Sequence, residues 1–85
     1  MSYWWLSFAD PDKPTGEKFL GALIIRAHDD VEMLKRSWML ELNPGGEVAF
    51  FEIPKQYEER IPPDWVETRL LTKKQCDELE NKWLE

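Results

Sequence analysis

Tyr3-Trp4-Trp5-Leu6-Ser7-Phe8 constrains the fold more than any other stretch of this chain. Successive side chains of a strand point to opposite faces, so Trp4, Leu6 and Phe8 share one side of a sheet and Tyr3, Trp5 and Ser7 the other. Both faces therefore need cover.

Eighty-five residues make one small domain, 1–85, of a size that buries only roughly 60–65 % of its unfolded surface. A hydrophobic content of 42 % and five tryptophans predict a packed core. The formal charge of −6 comes from acids dispersed between Asp10 and Glu85. It disfavours direct nucleic-acid binding and attraction to an anionic membrane. One cysteine, Cys76, excludes an internal disulfide, and with a single histidine, His28, no zinc set of Cys and His is expected. The longest apolar run, Phe19 to Ile25, is too short for a membrane span, and no positive segment precedes an apolar one at the start. A soluble cytoplasmic protein is expected.

Tyr3 to Ala9 reads as a first strand, ended by Asp10-Pro11-Asp12-Lys13-Pro14-Thr15-Gly16. Lys18 to Ala27 reads as a second, with Phe19, Leu23 and Ile25 on one side and Leu20, Ala22, Ile24 and Arg26 on the other. Gly21 leaves room for a bulky neighbour, such as a first-strand tryptophan. Asp29 and Glu32 form a capping-box pattern at the start of a helix whose sheet-facing side is Val31, Leu34, Trp38 and Leu42. Met33, Ser37 and Leu40 flank that side, and Lys35, Arg36 and Glu41 face water. The helix stops at Asn43-Pro44-Gly45-Gly46, with glycine closing its last carbonyls.

Glu47 to Ile53 is a third strand, ended by Pro54. Lys55 to Pro63 reads as a polar surface connection, Asp64-Trp65-Val66 as a single turn and Val66 to Leu71 as a short edge strand. Thr72 and Gln75 form a second capping box, with Leu71 stapled to Cys76, before a C-terminal helix over about 73–83 that buries Cys76, Leu79 and Trp83. The expectation is an α+β fold with β-β-α-β order, a three-stranded sheet in the order 2-1-3 and a fourth strand as a variant. A right-handed crossover returns strand 3 parallel to strand 2. The helix covers one face, leaving Trp5 to the C-terminal helix, a subunit interface or a ligand.

Six residues are candidates for a binding site. Trp5 with Ser7 can offer a stacking surface for a base, or belong to core or interface. Arg26 ends an apolar strand and can meet a phosphate, or pair with Asp29 or Asp30. In Asn43-Pro44-Gly45-Gly46, the N–H groups of Gly45 and Gly46 can form a nest for an anion, yet a helix cap followed by a turn explains the same residues. That loop lies at the negative end of the preceding helix, which opposes an anion. His28 has no nucleophile or orienting partner at a recognisable spacing, and no pattern of carboxylates argues acid–base work. Neither catalysis nor a cofactor is expected.

With Trp4-Trp5-Leu6-Ser7-Phe8-Ala9-Asp10, Phe19-Leu20-Gly21, Asn43-Pro44-Gly45-Gly46-Glu47-Val48 and Ile53-Pro54, the first two thirds of the chain resemble short phage-encoded proteins of unassigned function. The resemblance implies a setting in the host cytoplasm and an accessory role, including anti-defence action. The leading expectation is a non-enzymatic homo-oligomer that sequesters a small nucleotide-type immune signal. The alternative is an acidic inhibitor that binds a host defence enzyme as a nucleic-acid mimic.

Overall fold

The computed structural model describes the backbone of residues 1–84 and the side chains of residues 1–81. The elements are β1 (Ser2–Ala9), β2 (Phe19–Ala27), α1 (Asp30–Met39), β3 (Glu47–Glu52), α2 (Lys55–Glu58) and α3 (Lys73–Leu84), with a 3-10 turn at Pro63–Trp65. The expected α+β architecture is what forms: an antiparallel sheet in the order β2-β1-β3, with the double-tryptophan strand in the centre. No helix among the described residues is long and apolar enough to cross a membrane.

The alternation of β1 sorts the molecule into two cores. Leu6, Phe8, Leu23, Ile25, Ala27 and Met33 are buried together, with Trp4 packed against them and its indole N–H donating to the Ala27 carbonyl at 3.1 Å. On the opposite face Ala22, Ile24, Ile53, Ile61, Leu71 and Leu79 form the second core, with Tyr3, Trp5 and Cys76 at its margin. The C-terminal segment therefore covers the face that α1 leaves bare. The side chain of Trp83, expected in this layer, lies outside the described residues.

The structure turns α1 by about a third of a turn from the expected phase. Met33 and Ser37 are its buried residues, whereas Val31 and Trp38 are 58 % and 60 % exposed. Leu34 and Leu42 still touch the core. Two polar anchors set this phase. Arg36, expected in water, pairs with Glu67 at 2.7 Å. The Ser37 hydroxyl donates to the Leu34 carbonyl at 2.6 Å and accepts from Asn43 Nδ2 at 2.9 Å. Replacing Trp38 by glutamine should consequently leave thermal stability within about 0.5 kcal/mol of wild type. A chemical denaturation curve checks this; a loss of core-truncation size would restore the apolar-stripe phase.

The ends of α1 also depart from expectation. Asp29 accepts from the Glu32 N–H at 2.8 Å as a capping residue should, but the Glu32 carboxylate accepts from the His28 N–H instead of closing the box on Asp29. The helix ends at Met39, three residues before the expected last residue Leu42, and Glu41 (φ 59°) takes the left-handed conformation assigned to glycine. The Ser37 carbonyl accepts from Leu42 and Asn43, which satisfies the last turn.

In β2 a bulge changes the side on which one residue lies. Phe8 pairs with Gly21 and Ala9 with Phe19, so Leu20 is the extra residue and joins the α1-side core instead of the opposite face. The neighbour that packs on Gly21 is Leu70, whose Cβ lies 3.2 Å from where a Gly21 Cβ would be, and not a tryptophan. Residues 55–63, expected as a polar connection, include α2 and the buried Ile61. Val66–Leu71 makes two isolated bridges to β2, Val66 to Ile24 and Leu71 to Ala22, with Glu67 between them at φ 58°.

Candidate functional site

The two outer edges of the sheet are treated differently by the rest of the chain. On the β2 edge, the Ala22 N–H and carbonyl bond to Leu71 at 3.1 and 2.7 Å, and the Ile24 carbonyl accepts from the Glu67 N–H at 2.9 Å. The Arg26 N–H donates to Glu67 Oε1 at 3.1 Å, the same oxygen that takes Arg36 Nε and Nη2. A half-buried carboxylate receiving three donors locks this edge shut.

The β3 edge has no such clasp. Ile53 N–H donates to the Tyr3 carbonyl at 2.8 Å, so odd residues of β3 face β1 and the N–H and carbonyl groups of Val48, Phe50 and Glu52 point outward. Among the described residues nothing bonds to those outward groups. Every residue of β3 is exposed, including Phe50 (41 %) and Phe51 (47 %) on opposite faces. Arg36 pairs with Glu67 at the β2 edge, and Val31 and Trp38, on the other side of the helix from Arg36, are exposed. Four apolar residues between Glu47 and Glu52 thus form a strand open along its edge and on both sides.

A second feature is a cleft of about 310 Å³ lined by Trp5, Phe51, Cys76 and Glu80. The rings of Trp5 and Phe51 are near parallel, 22° apart with centroids separated by 6.4 Å, and form one apolar wall. The Cys76 thiol is pushed up to about 11, first by desolvation on burial and then by the charges of Asp77 and Glu80. Glu80 is the charged group among the described lining residues, and its carboxylate opposes a phosphate and suits a neutral or cationic planar group. At pH 8, alkylation of Cys76 by iodoacetamide should run about a hundredfold slower in the folded chain than in urea, the ratio set by the thiolate fractions. Equal rates would contradict the burial.

The six residues singled out from sequence do not converge. Trp5 and Ser7 share the α3-side face, where the Ser7 hydroxyl lies 3.5 Å from the Ala49 carbonyl. Arg26 is on the same face but stands over the Tyr3 ring, 5.6 Å from its centroid. Gly46 lies against Ala9 at the other end of β1, roughly 20 Å from Tyr3 along the strand. Asn43 is held inward, donating to Ser37 and accepting from the Gly45 N–H at 2.8 Å. The Gly45-Gly46 turn is explained by its own geometry: both residues have positive φ, and a Cβ on Gly46 would meet the Ala9 carbonyl oxygen at 2.4 Å.

The residues that sequence reasoning passed over are Phe50 and Phe51. Their signal was present in Glu47-Val48-Ala49-Phe50-Phe51-Glu52, a strand apolar on both faces placed last in a 2-1-3 sheet. Among the described residues, the segment that could pair with a sheet edge, 66–71, goes to β2. Comparison with protein-family models, with curated proteins and with solved structures gives no match in any of the three.

Proposed function

We propose that this chain is a non-enzymatic docking domain that binds another polypeptide by strand addition along the outer edge of β3. The observation that carries the reading is the asymmetry of the sheet: the β2 edge is closed by Glu67 and Leu71, while β3 keeps its outward backbone groups and two phenylalanines open. Monomeric folds guard such an edge with charge, proline or a bulge, because an unpaired strand templates pairing with another chain. Between its terminal glutamates β3 has none of these. Backbone groups of Val48, Phe50 and Glu52 supply affinity, and the side chains of Phe50 and Phe51 supply selectivity on the two faces. Acidic mimicry of nucleic acid is a weaker fit, since the carboxylates of β3 stand only at its ends.

Photo-crosslinking in producing cells tests this. A benzoylphenylalanine at Phe51 should give discrete adducts with another chain, and one at exposed Lys35 should give none. Adducts from both positions alike, or from neither, would overturn the reading.

The Trp5 cleft favours a second reading, a small planar ligand without phosphate stacked on Trp5 near Glu80. Isothermal titration with adenine and with a cyclic dinucleotide separates the cases. Heat from adenine alone supports the cleft; heat only from the cyclic dinucleotide contradicts its electrostatics.

A further inference from the structure

We infer that the chain added to β3 is a second copy of the same protein, joined antiparallel about a two-fold axis through Phe50; this rests on the docking role proposed for β3. A perpendicular two-fold keeps each sheet face on its own side, so paired residues must have the same parity in β3. The outward residues Val48, Phe50 and Glu52 must be the hydrogen-bonded ones.

Only a register centred on Phe50 uses all three. It sets Phe50 against the partner copy's same phenylalanine and Val48 against the partner copy's same-face glutamate at the far end, with each pair exchanging two N–H···O bonds. Moving the centre toward Glu47 brings in Gly46, whose left-handed backbone (φ 78°) leaves the strand, and moving it toward Glu52 runs the pairing into Pro54.

Side-chain size and charge agree with the same register. On the α3 side, each Phe51 lies across from the small Ala49 of the other copy, and on the α1 side Trp4, 6.4 Å from Phe50 in its own chain, extends the aromatic contact outward. Neither Glu47 nor Glu52 faces a carboxylate, since they oppose Ile53 and Val48 respectively. The assembly then stops at two copies, because the remaining edges, those of β2, are already bonded to Leu71 and Glu67. The product is a closed six-stranded sheet from two three-stranded halves.

The test combines mass with register. Sedimentation velocity over a dilution series of the full chain should show a two-chain species that dissociates into single chains, and Phe50→Lys should be a folded single chain throughout. Register is read in a Cys76→Ser background by mixing an Ala49→Cys chain with a Phe51→Cys chain under mild oxidation. A mixed disulfide should dominate over either like-with-like product. A single-chain species at every concentration, a dimer that survives Phe50→Lys with its circular dichroism intact, or like-with-like products alone would overturn the inference. Where the single-chain outcome accompanies crosslinks from Phe51 to a different protein, the docking role of β3 stands and only the second copy falls. Where no crosslink forms, both fall.

Discussion

Gly46→Ala is expected to destabilise the domain by about 2–5 kcal/mol, the sum of a left-handed backbone forced on alanine and a collision with main chain. The added Cβ would sit 2.4 Å from the Ala9 carbonyl oxygen, and neither β1 nor the turn into β3 can move without disturbing the register Ala9 shares with Glu47. For a domain of this size, that is a fall in melting temperature of roughly 10–30 °C. Gly45→Ala is the internal control. It carries the same sign of φ, 81°, but nothing lies within 4 Å of its Cβ. It should cost only about 1 kcal/mol, so a thermal melt of the pair separates backbone strain from contact. Equal losses would contradict the close approach of Gly46 to β1. The same geometry means that a ligand-binding defect in Gly46→Ala says nothing about an anion nest.

Leu79→Ala should cost about 2–5 kcal/mol, as truncation of a fully buried leucine does. Leu79 is the residue through which α3 enters the second core, beside Ala22, Ile24 and Leu71. Its loss loosens the layer that shields Trp5, so the tryptophan emission should shift to the red in the variant while the α1-side core around Leu6 and Met33 keeps its near-native packing. A stability change below about 1 kcal/mol would show that the second face of the sheet is closed by something other than α3.

How much of this was readable from the residues alone follows from the range of the forces involved. The alternation of β1 depends on neighbours two apart, so the split of Trp4 from Trp5 and the need for two covering layers were legible in Tyr3 to Phe8. The strand order followed from the chain's connectivity. The phase of α1 was not legible, because the apolar stripe through Val31 and Trp38 is overruled by a long-range pair, Arg36 with Glu67, and by a small buried serine. Leu20 changed sides through a bulge that no local pattern announces. The candidate site failed to assemble for a similar reason. Arg26 and Gly46 sit near opposite ends of β1, a separation set by strand pairing and invisible in spacing. Glu47 to Ile53 reads as a strand with apolar residues on both faces, and only the path of residues 66–71 along β2 shows that, among the described residues, Phe50 and Phe51 stay exposed.

The claim on which the rest depends is that β3 presents an edge for another chain. Amide hydrogen exchange resolved by residue tests it most directly, measured on dilute protein and again on the assembled species. The Ala22 amide, bonded to Leu71, should be protected in both. The amides of Val48, Phe50 and Glu52 should exchange fast in the dilute chain and become protected together on assembly. If those three exchange at the same fast rate in both states, or are already protected in the dilute single chain, β3 is not the edge that other chains join.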